Sequence, residues 1–489
     1  MSFGETGVLT DKRAKISSAR ILIFLLIIIL IFSLLYGVLT AKNTIKKNIV
    51  IISLIAFFAF SVYRLDIFYF LMIFLMIILF LPFSYQSLGI MGYTLRGLRI
   101  EYTLPLWPIL LFLFIGDSAL HKRLKIYRTP SDKWILFYLI AFTLSFIYSL
   151  FAVSNHWINV LRDGFRYSRL IFLMYIIVSV IDSRDKLERF NNFIFLLAAF
   201  FGIYGIIEFF FFPHKTFQGD VIFLKTRIET LFGYTTLYSC YLNATIPFVF
   251  AFAVYVKKKF KKSILWGLFI LLYINMILTF SRGSFLAVNL TILIMALLIW
   301  GKKALLLWVA LIGFIALVGT TTPILKRQMT LFTNPVVYLQ MADLPRIYEY
   351  AHLIEGIKEK PLFGAGLGSV TVRYAILKNR GQFSHSYRPL KELYAHHSLV
   401  LDIAGRMGIF ALIAISGVFI TLFKALYKAY RLAGDEYLKA NVFGSVGALI
   451  AYSMYQFIDN LIDSNVFIYF IFIVSVGIVA WRYVHNLED

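Results

Sequence analysis

Acidic residues, cysteine and polar stretches are all scarce in this chain. Of its 489 residues, 25 are Asp or Glu against 48 Lys or Arg, and charged residues make up only 15%. Soluble domains carry about 25% charged residues, so an ordinary soluble domain is excluded. The one cysteine, Cys240, lies in an apolar run and excludes an intrachain disulfide. No strict alternation of apolar and polar residues runs along the chain, which excludes a membrane β-barrel.

Long apolar runs dominate the sequence, since 60% of its residues are hydrophobic and its mean hydropathy is +0.81. Runs of about 20 residues match the thickness of the membrane core for a helix. The sequence therefore predicts an all-α polytopic membrane protein with about 12–14 transmembrane helices. Several runs are short or closely joined, so both counts fit. The predicted spans are 20–40, 48–63, 66–83, 103–117, 133–153, 166–182, 192–212, 236–256, 263–280, 283–300, 303–322, 398–424, 441–459 and 466–484.

These spans divide the chain into four predicted parts. The parts are a cytoplasmic segment at 1–19, a helical bundle at 20–322 with an outer-face loop at 213–235, a large outer loop at 323–397, and C-terminal helices at 398–489. The first 18 residues are polar and basic, and the first apolar run lacks a small-residue cleavage site. We therefore expect no cleavable signal peptide.

The net charge of +23 lies mainly in short loops between apolar runs. Basic loops face the cytoplasm, and the strongest of them is KKKFKK at 257–262. Alternation from this anchor places 281–282 and 323–397 outside and the basic loop around Lys428 inside. Only the basic loop 41–48 falls on the wrong side. Membrane orientation and lipid head groups account for this charge. Because no basic, aromatic-rich soluble domain is present, we expect no nucleic-acid partner.

Cationic side chains converge on the predicted outer face, where they are costly to keep and indicate a functional site. They are Arg227, Arg282, Arg346 and His397. Nucleotides are not normally available on that face, so a transferase there takes its activated donor from a lipid, such as a polyprenyl-diphosphate sugar. Arginines bind phosphate oxygens through bidentate contacts and stabilise a leaving group as its charge develops. A histidine, with an ordinary pKa of about 6.5, can accept the proton of an attacking hydroxyl.

Ordered motifs around these cations resemble a known family. The motifs are FSRGSF at 280–285, Arg346, KPLFGAGLG at 360–368, and His397-Ser398 followed after nine residues by Gly408. In this order and spacing they resemble the O-antigen ligase and O-antigen polymerase family over roughly 220–425. Ligases of this family carry Gly, Thr or Tyr three residues after the last glycine. This chain has Ala411 there, a departure that slightly weakens the leading ligase interpretation relative to the polymerase.

The resemblance implies a membrane glycosyltransferase with a GT-C-like helical bundle, capped by an extracytoplasmic loop domain that contains short helices. Such an enzyme of lipopolysaccharide biosynthesis moves an O-antigen glycan from undecaprenyl diphosphate to an acceptor hydroxyl, for example on lipid A–core. The family works with inversion, without a metal or other cofactor, and on the periplasmic side of the bacterial inner membrane. By the same resemblance, His397 is the catalytic base, and Arg282 and Arg346 hold the donor diphosphate. Arg227, from its place on the predicted outer face, is a weaker candidate for donor binding.

Two other functions stay open at this point. A polymerase would use the same donor and add it to a second lipid-linked repeat unit. A transporter or flippase of polyprenyl-linked glycans would also use cationic side chains. Transporters often consist of repeated halves with broken helices near the membrane centre. No internal repeat is found in this sequence, and its candidate cations lie at one face.

Each candidate residue also has a purely structural interpretation. His396 precedes His397, and one of the two can merely lie at the start of a helix. Arg282 can anchor the chain at lipid head groups. Arg227 can pair with Glu229 or bind a lipid phosphate.

Other polar groups have structural roles as their first interpretation. Asp402 and Arg406 lie four residues apart in an apolar run, so we expect them to neutralise one another. Ser398 is expected to cap a helix that begins at Leu399. The glycine run 364–368 lacks the spacing of a nucleotide-binding loop and predicts a turn below the active site. The eight histidines form no tight cluster with carboxylates or cysteine, so no metal site is expected.

Overall fold

The computed structural model describes ten main parts of the chain, with a few isolated positions besides. These parts are residues 67–80, 126–152, 157–211, 214–218, 221–225, 227–232, 234–306, 357–368, 398–457 and 464–485. The predicted spans 20–40 and 48–63 lie outside the described residues, as do most of 103–117 and 303–322. Most of the predicted outer loop 323–397 also lies outside them.

Ten main helices occur in the described parts, and each of them matches a predicted span. They are α1 Ile67–Phe80, α2 Asp132–Ala152, α3 Trp157–Val180, α4 Arg184–Phe211, α5 Thr235–Tyr255, α6 Lys259–Leu278, α7 Arg282–Trp300, α8 Leu399–Leu432, α9 Glu436–Gln456 and α10 Asn465–Val484. Seven helices of the described residues, α2, α4 to α8 and α10, are long and apolar enough to cross a membrane. The predicted class of all-α polytopic membrane protein is confirmed.

The start of α3 corrects the sequence prediction. Its span was predicted to begin at residue 166, whereas the helix begins at Trp157. The prediction stopped at the charged residues of the first turns because an isolated charge is unfavourable in a membrane helix. In the fold Asp163 is buried against Arg406 of α8 and Arg166 is buried beside Asp163, so the helix extends through them.

The centre of the bundle is formed by α5, α9 and α10. The apolar windows of α5 and α10 are 94% and 89% buried. In α9, Gly444 faces Phe248 of α5, and a Cβ added there would lie 2.8 Å from the Phe248 ring. Tyr452 of α9 stacks on Phe470 of α10, with 4.0 Å between the ring centroids. Small residues and flat rings thus let these helices approach closely, as membrane helices do without a hydrophobic driving force between them.

Loops predicted to face the cytoplasm meet at one end of the bundle. Arg184 at the start of α4 pairs with Asp435 at 2.8 Å, and Lys257 after α5 pairs with Glu436 at 3.1 Å. The guanidinium of Arg482, near the end of α10, donates to two carbonyls at the end of α3. From α3 to α7, and again from α8 to α10, the described helices therefore alternate between two ends, as the basic loops predict. That this end faces the cytoplasm stays a prediction from charge.

A β-hairpin lies at the opposite end, between α4 and α5. Strand β1, His214–Gln218, pairs with strand β2, Val221–Lys225, in antiparallel register with His214 opposite Lys225. A 3₁₀ turn follows at Thr230–Phe232. The sequence predicted only a loop at 213–235. Its connecting residues are Gly219 and Asp220, a pair typical of two-residue hairpin turns, and this signal could have revealed the strands.

Candidate active site

Arg282 is the first residue of α7 and follows a tight turn after α6. The hydroxyl of Thr279 donates to the Met276 carbonyl at 2.7 Å and accepts the N–H of Ser281 at 3.2 Å. Between Thr279 and Ser281, Phe280 has a φ of 53°, a left-handed conformation that costs roughly 1–2 kcal/mol. The turn therefore holds a strained conformation fixed by its own hydrogen bonds. It places half-buried Arg282 at the N-terminal end of α7, where the helix dipole favours anions.

Arg227 reaches the same turn from the segment after the hairpin. Its Nε donates to the Thr279 carbonyl at 3.0 Å. The adjacent Ile228 N–H donates to the Leu278 carbonyl at 3.3 Å. These two hydrogen bonds hold residues 227–228 against the C-terminal end of α6. Two of the four predicted site residues, Arg227 and Arg282, are therefore brought to one turn although they are far apart in the chain.

A buried carboxylate fixes this segment from the other side. Glu208 in the last turn of α4 is 4% exposed. Its two oxygens accept the N–H groups of Glu229 at 3.3 Å and Thr230 at 2.6 Å. Thr230 begins the 3₁₀ turn with a φ of 50°. Glu208 thus supplies acceptors to backbone donors that the turn does not satisfy itself, and it holds the segment carrying Arg227 in place.

Buried charges also lie between α3 and α8. Arg406 forms ion pairs with Asp402 through Nε at 2.6 Å and with Asp163 through Nη1 at 2.5 Å. Tyr167 donates its hydroxyl to Asp402, and Arg166 lies 3.4 Å from Asp163. The expected pairing of Asp402 with Arg406 is confirmed. Sequence reasoning missed the three residues of α3, although charges three residues apart beside an apolar run were a usable signal.

Helix α8 is broken at Gly408, which has φ 81° and ψ −178°. This backbone conformation is essentially restricted to glycine. The Ile409 N–H donates to the Pro361 carbonyl at 2.8 Å, outside the helix. The Gly405 carbonyl, which an unbroken helix would pair with that group, accepts the Ala365 N–H at 2.7 Å. Loop 361–368 therefore supplies the hydrogen bonds that the break removes from α8.

We call this arrangement the α8 junction; it comprises Asp163, loop 361–368 and residues 402–409. The predicted turn at the glycine run 364–368 is part of it. At Gly364, which has a φ of 68°, an added Cβ would lie 2.5 Å from the Arg406 carbonyl carbon. Small residues are thus needed where the loop and α8 touch through their backbones.

The helix that follows the predicted catalytic histidine begins as expected. Ser398 is the N-cap of α8, and its side chain accepts the Leu401 N–H at 3.5 Å. His397 and Arg346 themselves lie outside the described residues, as does His396. Their roles, and the choice between the two histidines, stay predictions. Among the described residues, no group of three or more His, Cys, Asp or Glu side chains is placed to hold a metal ion.

Fold and site together define a polytopic α-helical membrane protein with two cationic side chains gathered at one turn. Residues 266–416 match the family model described as O-antigen ligase. The match supports an assignment of this region to the O-antigen ligase and polymerase family, which the sequence motifs predicted. It includes Arg282, Arg346 and His397 and excludes Arg227 and Asp163. No curated protein sequence matches the chain.

Proposed function

We propose that this protein transfers a glycan from undecaprenyl diphosphate to an acceptor hydroxyl at the periplasmic face of the bacterial inner membrane. The observation that carries the proposal is the family match over 266–416, which contains three of the four candidate residues in the predicted order. The convergence of Arg227 and Arg282 at the turn between α6 and α7 supports it. The reaction is inverting and uses no metal.

Donor binding is assigned to the outer turn. A diphosphate carries negative charge at the level of the lipid head groups, while its isoprenoid tail stays among the helices. Arg282 at the positive end of α7 and Arg227, oriented through its Nε, place two permanent cations near that level. Arg346, by the family motif, adds a third. Charge that develops on the leaving diphosphate is then stabilised by groups held in place before the reaction begins.

His397 is assigned the role of general base. It accepts the proton of the acceptor hydroxyl as that oxygen attacks the anomeric carbon of the donor sugar. The new C–O bond forms on the face opposite the breaking bond to phosphate, and undecaprenyl diphosphate leaves with the bonding electron pair. His397 directly precedes the Ser398 cap of α8, so the position of this helix end determines where the imidazole lies.

The acceptor distinguishes the two enzymes of the family. A ligase uses a hydroxyl of lipid A–core, and a polymerase uses a second lipid-linked repeat unit. Ala411, which is fully buried in α8, stands where the ligase motif has Gly, Thr or Tyr. This departure keeps the polymerase as the second candidate function. Supplying purified protein in nanodiscs with lipid-linked donor and either acceptor separates the two, and a protein active on neither contradicts both.

Variants of the candidate residues test the mechanism. His397→Ala is expected to lower turnover by about 100-fold or more while donor binding persists, since the imidazole acts on the acceptor. Arg282→Ala is expected to weaken binding of undecaprenyl diphosphate by between about tenfold and 150-fold, because a charge-assisted contact is worth roughly 1.5–3 kcal/mol. Normal transfer by His397→Ala would remove the general base from the mechanism.

Lys302→Ala is the matched control for Arg282→Ala. Lys302 is exposed and follows the opposite end of the same helix. Its removal takes away the same unit of charge, so donor affinity should stay within about twofold of wild type. Equal losses for Lys302 and Arg282 would mean that affinity follows net charge and that no specific diphosphate site exists at the turn.

A further inference from the structure

The α8 junction joins three segments that are distant in sequence. Asp163 of α3 contacts both of the others: its Oδ2 pairs with Arg406 at 2.5 Å and accepts the Gly368 N–H at 2.8 Å. The neighbouring Leu367 N–H donates to the Ser149 hydroxyl of α2 at 2.7 Å. The end of loop 361–368 is therefore fastened to α2 and α3 as well as to α8.

The break at Gly408 makes residues 399–407 a half-helix with its own supports. Its Gly405 and Arg406 carbonyls accept N–H groups of Ala365 and Gly366 at 2.7 and 3.0 Å. Its side chains Asp402 and Arg406 bind Tyr167 and Asp163 of α3. Orientation of the half-helix therefore depends on loop 361–368 and α3 as well as on continuity with the rest of α8.

We propose that Asp163 is a positioning residue for glycan transfer, because its bridge between loop 361–368 and Arg406 sets the orientation of the half-helix 399–407. His397 is two residues from the start of the half-helix, so any rotation of this segment moves the imidazole relative to the donor. The proposal rests on the proposed function for its catalytic consequence. Asp163 lies outside the matched family region of 266–416.

The chemistry of the bridge fits orientation better than stability alone. Apolar residues of similar volume often stabilise a protein as well as a buried ion pair does, and charges in a membrane helix are costly. An arginine side chain, however, presents its donors in a rigid planar fork. Held by Asp402 of α8 through Nε and by Asp163 of α3 through Nη1, the Arg406 fork gives the contact between α8 and α3 a defined direction.

Asp163→Asn tests the bridge because it keeps the shape of the side chain and removes its charge. We expect kcat to fall between about tenfold and 100-fold, as a displacement of about 1 Å can cause. The KM for donor should stay within about threefold, because Arg227 and Arg282 lie at the turn between α6 and α7. In hydrogen exchange, amides of 361–368 and 399–409 should exchange faster, whereas those of α9 should not.

Asp163→Glu separates positioning from simple stabilisation. It restores the charge but moves the carboxylate by one methylene, so slow exchange should return while kcat recovers only in part. Full recovery of both would reduce Asp163 to a structural role. So would an Asp163→Asn protein in which kcat, donor affinity and melting temperature fall together.

Arg184→Gln is the control ion-pair variant. It removes the half-exposed pair with Asp435 at the other end of the bundle and should leave kcat within about twofold. Unchanged exchange at 361–368 and 399–409 in Asp163→Asn would overturn the bridge itself. If the wild-type protein transfers no glycan but Asp163→Asn still exchanges faster at these amides, the bridge is supported and only the proposed function is overturned.

Discussion

Gly408→Ala tests the break in α8 most directly. The φ of 81° and ψ of −178° at this position lie in a region that costs an alanine about 1–3 kcal/mol. The new Cβ also collides with the Leu362 carbonyl, so loop 361–368 must move away from α8. Its hydrogen bonds to α8 then weaken, at about 1 kcal/mol each. We expect a total loss of about 3–5 kcal/mol in the free energy of unfolding.

Chemical unfolding in detergent micelles measures this loss, and Gly434→Ala is its control. Gly434 is exposed between α8 and α9, and nothing lies within 4 Å of an added Cβ. Alanine there should change the unfolding free energy by no more than about 0.5 kcal/mol. A Gly408→Ala protein as stable as the Gly434→Ala control would refute the reasoning, since α8 would then be able to pass through residue 408 as an ordinary helix.

Three further changes have defined outcomes. Glu208→Gln leaves the N–H groups of Glu229 and Thr230 with a poorer acceptor, so it should lower the unfolding free energy by about 1–3 kcal/mol; an unchanged midpoint of unfolding would contradict this support. Arg282→Lys keeps the charge but loses the planar fork, and should weaken donor binding by about tenfold in a direct binding assay; affinity equal to wild type would mean that charge alone suffices. Partial burial opposes the ionisation of Asp435, but the N–H groups of Leu438 and Tyr437 and the Arg184 guanidinium outweigh it, so the pKa of Asp435 lies below its ordinary value. The ionised Asp435 carboxylate therefore stabilises the fold above about pH 4, and this stabilisation is lost as the pH falls further. Asp435→Asn should lower the melting temperature at pH 7 but not at the acid end. Thermal melts across pH would detect this difference.

Hydropathy was sufficient to predict the helices that the structure describes, because each apolar run must satisfy its own backbone inside the membrane. It was insufficient where a polar residue is stabilised by a distant partner. Asp163 pairs with Arg406, 243 residues further along the chain, and the sequence around Asp163 does not identify Arg406 as its partner. The start of α3 was therefore predicted too late.

The candidate site divides in the same way. Arg282 could be found from the sequence because its motif is local and lies between two apolar runs. The contact of Arg227 with the Thr279 carbonyl could not, since backbone carbonyls carry no sequence signal. The Asp402 and Arg406 pair was predicted because its members are one helical turn apart, whereas Tyr167 and Asp163 are brought to it only by the packing of α3 on α8.

Burial also separates Arg406 from Arg227 and Arg282, which are proposed to bind the donor. Arg406 is 5% exposed and contacts two carboxylates, so its charge is neutralised inside the protein and no diphosphate can reach it. Arg227 and Arg282 are half-buried at the end of the bundle, where a lipid head group lies beside them if the helices span the membrane as proposed. Loss of the Arg282 guanidinium should therefore change the affinity for donor, and loss of the charge on Asp163 should change the rate. Because the two sites are held by separate sets of contacts, these effects should be additive in the double variant.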